Sequence, residues 1–353
     1  MSSLRRRTSR SRQTRLSSLA LPLAMSVLAL SLAACGSEDS TEDSQTDDTT
    51  SSESEFEPVS VEHTFGSTDI SEQPERVVTW GWGTPDAVLA LGVVPVAMEK
   101  LVYGASEEGF MPWQEQAFEE LGAEQPTTLT PGEAPPFEEI AAAAPDVILA
   151  NYSGITEADY DRLTQIAPTV AYPDEPWSTP WRDVITTVGD VLGQGEEADQ
   201  LLADIDGEVA AAAEAHPEFD GTTIAAVAID PGAFYVYSAA DPRVQFLEDL
   251  GFTVAPSVDE LDTGESTFFY TLSTENVDQL TSDVLLSYAA TQDRADEIAA
   301  DPTYQVMEQF QDDRVATVSG EDIVSSVSPP TALSLSYSLD TFVEALAGAV
   351  SAE

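Results

Sequence analysis

The sequence predicts an α/β protein of two Rossmann-like lobes joined by a long helix, with a ligand cleft between the lobes. Three observations carry this. First, a module recurs: Glu138-Glu139-Ile140 leads, seven residues after Glu138, into Pro145-Asp146-Val147-Ile148-Leu149, and Glu275-Asn276-Val277 leads after the same interval into Ser282-Asp283-Val284-Leu285-Leu286. Both read as a short helix running into a buried strand that opens on aspartate. Second, Leu91-Gly92-Val93 and Leu250-Gly251-Phe252 each follow a helix-like stretch and precede a short β-branched run, so two echoes stand in the same order. Third, the longest helical stretch, Thr179 to His216, lies between the two halves.

Taken in chain order, residues 1–34 read as an export signal. Arg5, Arg6, Arg7, Arg10, Arg12 and Arg15 form a basic head, and an apolar run from Leu16 to Ala34 breaks at Cys35-Gly36 into acidic, Ser/Thr-rich sequence. Leu32-Ala33-Ala34-Cys35 resembles the lipobox of bacterial lipoproteins, which makes Cys35, the only cysteine, the expected lipidated N-terminus. Residues 35–58 carry almost no large apolar side chain and are expected to be a disordered acidic tether. Residues 59–175 form the N-terminal lobe, with strands near Arg76–Thr79, Val93–Ala97, Val147–Ala150 and Thr169–Ala171. Residues 176–217 are the helical segment: Thr179-Pro180 offers a cap and an N1 proline, Gly193 to Gly195 an interruption and Pro217 a stop. Residues 218–353 form the C-terminal lobe, with strands near Ile224–Ile229, Phe234–Tyr237, Val284–Ser287 and Val315–Val318.

Composition excludes several classes. The chain has 13 Lys+Arg against 64 Asp+Glu. The signal segment removes six of the basic residues and no acid, so nucleic acid and anionic membrane surfaces are excluded as partners. Lys100 is the sole lysine, and with one cysteine no intrachain disulfide forms. Catalytic signatures are absent: there is no HExxH, GxSxG, phosphate-binding GxxxxGK[ST] or Cys/His cluster. No catalytic residue and no metal ligand is assigned. His63 and His216 stand outside any motif and are expected to be structural. With this many acids, a secreted carboxylate-dependent hydrolase stays open as a distant alternative.

Open α/β sheets bind ligands beyond the carboxyl ends of their strands. Those places carry Trp80, Trp82 and Thr84-Pro85; Asn151 and Tyr152; and Tyr172, Trp177 and Trp181 in the first lobe. In the second they carry Tyr237, Arg243, Tyr288 and the serine-rich run Ser325 to Ser336, with Phe268, Phe269 and Tyr270 on a glycine-flanked loop. Trp113 is expected in a loop with Tyr103, Phe110 and Met111. So many aromatics at loop tips point to a large, partly apolar cleft between the lobes.

The segments Thr64-Phe65-Gly66, Gln73 through Val78, Leu89 through Val96, Ile140 through Leu149, Ile166 through Val170 and Phe246 through Phe252 together resemble the substrate-binding lipoproteins of iron–siderophore ABC importers. The resemblance runs from about Glu62 to the C-terminus. It implies a helix-linked, class III periplasmic-binding-protein architecture, monomeric and non-enzymatic. It also implies a lipid-anchored protein on the extracytoplasmic face of the cell membrane, which hands a ferric siderophore to an ABC importer permease. The ligand is the iron chelate, and no cofactor is implied, because a siderophore already fills the metal's coordination sphere. Ligand contacts implied are Trp82, Tyr103, Trp113, Tyr152, Trp177, Tyr237, Arg243, Tyr270 and Tyr288. Arg243 either neutralises ligand charge, caps a helix, or pairs with Asp241 or Glu248. Glu138 and Glu275 fall at the family's permease-docking positions. Related proteins carry haem or cobalamin, which stays open as the alternative within the fold, with tyrosine ligation for haem.

Overall fold

The structure, a computed structural model, describes residues 56–352. The signal segment, Cys35 and most of the tether lie outside the described residues. The described end of that tether is packed, earlier than the boundary at residue 58 expected. A Cβ on Gly193 would lie 2.6 Å from the Phe56 ring, so the left-handed residue at φ +68° that ends one linking helix also seats Phe56.

The chain opens with a hairpin of β1 (Val59–His63) and β2 (Gly66–Ile70), turning on Thr64-Phe65. The N-terminal lobe then alternates β3 (Val77–Thr79), α1 (Thr84–Ala90), β4 (Ala97–Glu99), α2 (Pro112–Leu121), β5 (Thr127–Leu129), α3 (Phe137–Ala142), β6 (Val147–Ala150), α4 (Glu157–Leu163) and β7 (Thr169–Ala171). Its sheet is wholly parallel in the order β5-β4-β3-β6-β7. Helices cover both faces, which is why β3, β6 and β7 are buried at every residue. The strand order reverses between β3 and β6, which opens a crevice at their carboxyl ends.

The link is α5 (Trp181–Leu192) followed by α6 (Gly195–Ala215). At 21 residues, α6 is about 30 Å long. Thr179 is not the expected cap: its hydroxyl donates to the Asn151 carbonyl at 2.7 Å, and Pro180 occupies the cap position. After a 3₁₀ turn (Pro217–Phe219), the C-terminal lobe runs β8 (Thr223–Asp230), β9 (Ala233–Tyr237), α7 (Pro242–Asp249), β10 (Thr253–Val254), α8 (Pro256–Leu261), β11 (Phe269–Leu272), β12 (Val284–Ala289), α9 (Gln292–Ala300), α10 (Glu308–Gln311), β13 (Val315–Ser319), α11 (Glu321–Val327) and α12 (Ser334–Val350). Its sheet order is β11-β9-β8-β12-β13, with β10 beside the start of β8; β9 and β11 are antiparallel additions to a parallel centre.

The repeated aspartates have one job in both lobes. Asp146 accepts from the backbone N–H groups of Glu75 and Arg76 at 2.8 and 2.9 Å, and Asp283 accepts from the Thr223 N–H and hydroxyl at 2.9 and 2.6 Å. Each pins the entrance of its lobe's central strand. The helices before them differ. Glu138 sits on α3, whereas Glu275 lies in a turn before a single 3₁₀ turn, Val277–Gln279. There Leu280 dives into the core and its carbonyl accepts from Gln309 Nε2 at 3.1 Å instead of extending a helix.

Three further expectations are corrected. The strand placed at Val93–Ala97 is Ala97–Glu99, because Pro95 has no N–H to give the ladder. Trp113 is not in a loop but in the first turn of α2, where Pro112 opens the helix and Gln114 Oε1 accepts the Met111 N–H at 3.0 Å. Phe269 and Tyr270 are not on a loop but in β11, with Tyr270 opposite Val236.

One apolar cluster runs from Val77, Ala87 and Val188 through Ile205 and Val209 on α6 to Phe246, Phe342 and Leu346. The lobes therefore share a core through the linking helices. Arg182 of α5 adds ion pairs to Asp206 of α6 at 2.7 Å and Asp249 of α7 at 2.8 Å. No helix among the described residues is long and apolar enough to cross a membrane.

Candidate functional site

A cavity of about 520 Å³ lies between the lobes at the strand ends. The N-terminal lobe contributes Trp82 after β3, and Glu99, Lys100 and Tyr103 after β4; the C-terminal lobe contributes Asp230 ending β8, Tyr237 ending β9 and Tyr288 in β12, with Ser325 and Ser328. A larger hollow of about 650 Å³ lies elsewhere, between α6 and α12, lined by alanines and acids and touching no strand end.

Behind the cavity's aromatic wall stands an ion pair. Asp241, with no exposed side-chain surface, caps α7; its Oδ1 accepts from the Arg243 backbone N–H and Nε at 2.8 and 2.6 Å, and its Oδ2 accepts from Nη2 at 2.6 Å. The guanidinium lies over the Tyr237 ring at 3.7 Å and its Nη1 donates to Ser328 Oγ at 3.3 Å. Burial works against the Arg243 charge, but Asp241 outweighs it and holds the pKa above its ordinary value. Tyr237 and Tyr288 meet edge to face with centroids 6.0 Å apart. Burial raises both phenol pKa values, so both remain O–H donors. The Tyr288 hydroxyl finds no partner among the described residues. Burial also pushes the Glu99 carboxyl up to about 7, against the N–H that Gly81 directs at it.

Of the expected ligand residues, the structure brings Trp82, Tyr103, Tyr237 and Tyr288 onto the cavity, with Arg243 stacked behind Tyr237. Tyr152 lies deeper, in a narrow crevice with Gly83, Thr179 and Trp181, where Asp241 and Arg243 both act on its phenol. Trp177 stands beside it at a centroid distance of 6.0 Å, 40% exposed, on a strained φ of +60°. Its indole occupies the space a Cβ on Gly154 would need, with Nε1 the nearest atom to that position. Two residues are elsewhere. Tyr270 is wholly buried in the C-terminal core, and Trp113 is buried beneath Tyr337, its indole donating to Asp86 at 2.7 Å. Both histidines are structural: His63 Nε2 lies 3.0 Å from Thr68 Oγ1, and His216 pairs with Glu218 and stacks on Phe219.

Beside the cavity the lobes are joined by polar contacts. Trp82 Nε1 donates to the Pro329 carbonyl at 3.0 Å, and the Gly104 N–H donates to Glu321 Oε2 at 3.1 Å. Asp86, in the first turn of α1, is buried and accepts from Trp113, from Gln114 Nε2 at 2.5 Å and from the Thr331 hydroxyl of the other lobe. Burial raises its pKa, and the three donated hydrogen bonds pull it back toward the charged form.

The sequence profile of the family described as periplasmic binding protein matches residues 77–321. The chain belongs to the periplasmic binding protein family. It is 27% identical over 276 residues to the probable siderophore-binding lipoprotein YfiY of Bacillus subtilis (strain 168), covering 77% of this chain and 79% of that protein. It is 28% identical over 278 residues to the ferric enterobactin-binding periplasmic protein FepB of Escherichia coli O6:H1, covering 75% and 85% respectively. Among solved structures, PiaA of Streptococcus pneumoniae TIGR4 in complex with ferrichrome superposes with a TM-score of 0.75 at 33% identity, covering 83% of this chain and 98% of that one.

This periplasmic binding protein thus has the helix-linked bilobal architecture expected, with its cavity at the strand ends. Sequence reasoning missed Glu99, Lys100 and Asp230 on the cavity wall. Their signal was positional: ending β4 at Glu99 rather than at Ala97 puts Lys100 directly beyond a carboxyl end. Glu138 and Glu275 are both exposed, and among the described residues neither carboxylate makes a hydrogen bond or ion pair, although the Glu275 backbone N–H donates to Ser273 Oγ at 3.4 Å.

Proposed function

We propose that the protein is an extracytoplasmic, lipid-anchored solute-binding protein that captures a ferric siderophore between its lobes and delivers it to an ABC importer permease. The observation that carries this is the interlobe cavity in a chain of this family: about 520 Å³ at the strand ends, walled by Trp82, Tyr103, Tyr237 and Tyr288. That size and mixture of flat aromatic surface with a few polar groups suits a compact chelate. The names carried by YfiY, FepB and PiaA support the same class of ligand.

In this reading, the protein performs no bond chemistry. Aromatic faces cover the chelate, phenolic O–H groups donate to its oxygens, and iron keeps its own ligands. Among the described residues no group of three or more His, Cys, Asp or Glu side chains is placed to hold a metal ion. Haem is the weaker reading, because the names carried by YfiY, FepB and PiaA point to ferric siderophores. Glu138 and Glu275, one on each lobe, are the proposed docking groups for cationic side chains of the permease, and Cys35 the proposed lipid attachment. The protein works as a monomer until it docks.

Titrating the full chain with ferric hydroxamate, ferric catecholate, haem and cobalamin tests the ligand, with tryptophan fluorescence as the readout. The expected result is saturable quenching by a ferric chelate and a raised Tm. If all four leave fluorescence and Tm unchanged, the reading is wrong. Replacing both Glu138 and Glu275 by Ala is expected to abolish uptake with affinity intact; lost affinity would refute the docking assignment.

A further inference from the structure

We propose that the cleft selects an uncharged or cationic ferric chelate of the tris-hydroxamate type over a tris-catecholate. The inference rests on the siderophore reading and deepens it. The two chelate classes differ first in charge. Three singly charged hydroxamates cancel the charge of ferric iron, whereas three doubly charged catecholates leave a trianion.

A trianion needs uncompensated cations, and every basic residue of the described region can be placed. Arg243 is the obvious candidate, but its charge is already spent on Asp241, a completely buried carboxylate held at 2.6 Å. Beyond the wall, the pair acts as a dipole and not as a cation. Lys100 lines the cavity, and its Nζ donates to the Glu107 carbonyl at 2.6 Å. The other five lie off the cavity lining. Arg76 donates to the carbonyls of Ala143 and Ala144, and Arg162 lies over Phe137. Arg182, Arg294 and Arg314 pair with Asp206 and Asp249, with Glu297, and with Asp312.

Against the single free charge of Lys100 stand carboxylates. Asp230 is on the cavity wall, Glu321 holds the rim through the Gly104 N–H, and Glu99, which burial keeps partly protonated at neutral pH, adds a fraction of a charge. The lining is therefore neutral to negative, inside a chain of formal charge −51. An approaching trianion is repelled by the summed field and meets only the one charge of Lys100 to repay its lost hydration. An uncharged chelate has neither penalty. The cavity offers it the aromatic faces of Trp82, Tyr103, Tyr237 and Tyr288. A cationic chelate gains further from Asp230.

The test is a set of fluorescence titrations of the full chain at neutral pH, at low and at physiological salt. The probes are an uncharged ferric tris-hydroxamate, a cationic linear one and a trianionic ferric tris-catecholate. The hydroxamate complexes are expected to bind at least about tenfold more tightly than the catecholate. Asp230→Asn, and separately Glu99→Gln, are expected to narrow that gap by improving catecholate affinity, most at low salt. A catecholate that binds as tightly as either hydroxamate overturns this inference and leaves the siderophore reading standing. Saturation by none of the three overturns both.

Discussion

Two buried carboxylates stand at helix N-termini on the boundary between the lobes, and their partners give them opposite roles. Asp86 in α1 is surrounded by neutral donors, Trp113, Gln114 and Thr331, and ties the lobes together. Asp241 at the start of α7 is fully buried and paired with the Arg243 guanidinium, and the pair backs an aromatic wall open to the cavity. The comparison teaches that a buried acid can weld or silence. With neutral donors it makes a dry seam. With Arg243 it cancels a charge beside the cleft and leaves Lys100 as the cationic group on the lining.

Removing one partner at each site separates these roles. Arg243→Ala is expected to have the largest effect, about 3–5 kcal/mol of destabilisation in urea unfolding, because Asp241 is left buried and unpaired. Ligand affinity falls with it as Tyr237 loses its backing. Asp86→Ala is expected to cost about 3 kcal/mol by stranding three donors, and to change ligand affinity less than stability. If Asp86→Ala leaves stability unchanged, the seam is not a weld. Trp82→Phe removes the donation to Pro329 and part of the cavity's aromatic face, and is expected to cost about 1 kcal/mol of stability.

The cavity's own acid gives a smaller, pH-dependent effect. Glu99 ionises near about 7 in the folded chain, above its ordinary 4.5. Between those values the folded state holds a proton that the unfolded state has released, so this group's contribution to stability is lost as pH rises through the window. Unfolding midpoints at about pH 5 and about pH 8 should therefore lie closer together in Glu99→Gln than in wild type. Equal spacing would mean that Glu99 ionises normally. The smallest effect is expected at Tyr270→Phe. Its hydroxyl is buried without a partner among the described residues, so stability should change by less than about 1 kcal/mol, in either direction.

How far the sequence could be read follows the same division between local and long-range physics. Strands β6, β7, β8 and β12 are apolar runs buried throughout or nearly so, and such runs announce themselves. The interruption at Gly193 to Gly195 and the aspartates Asp146 and Asp283 were legible for similar local reasons. Tyr270 and Trp113 were not, because an aromatic on a strand or helix looks the same whether it faces a core or a cleft. What separates Tyr270 from Tyr288 is the far side of the sheet. Pro95 displaced β4 by a few residues, and that small error hid Glu99 and Lys100. Arg243 was legible as a cleft residue, with pairing to Asp241 one of several roles open to it. That Asp241 is buried beneath it and cancels its charge depends on the start of α7 being packed inside, a tertiary fact.

The central claim is that ligand is held by the interlobe aromatic wall. The most direct measurement is chelate affinity, by tryptophan fluorescence with an uncharged ferric tris-hydroxamate, in wild type, Tyr237→Leu and Tyr270→Phe. Affinity is expected to fall at least about tenfold in Tyr237→Leu and to stay at the wild-type value in Tyr270→Phe. Equal affinity in all three proteins, or a loss confined to Tyr270→Phe, would contradict it.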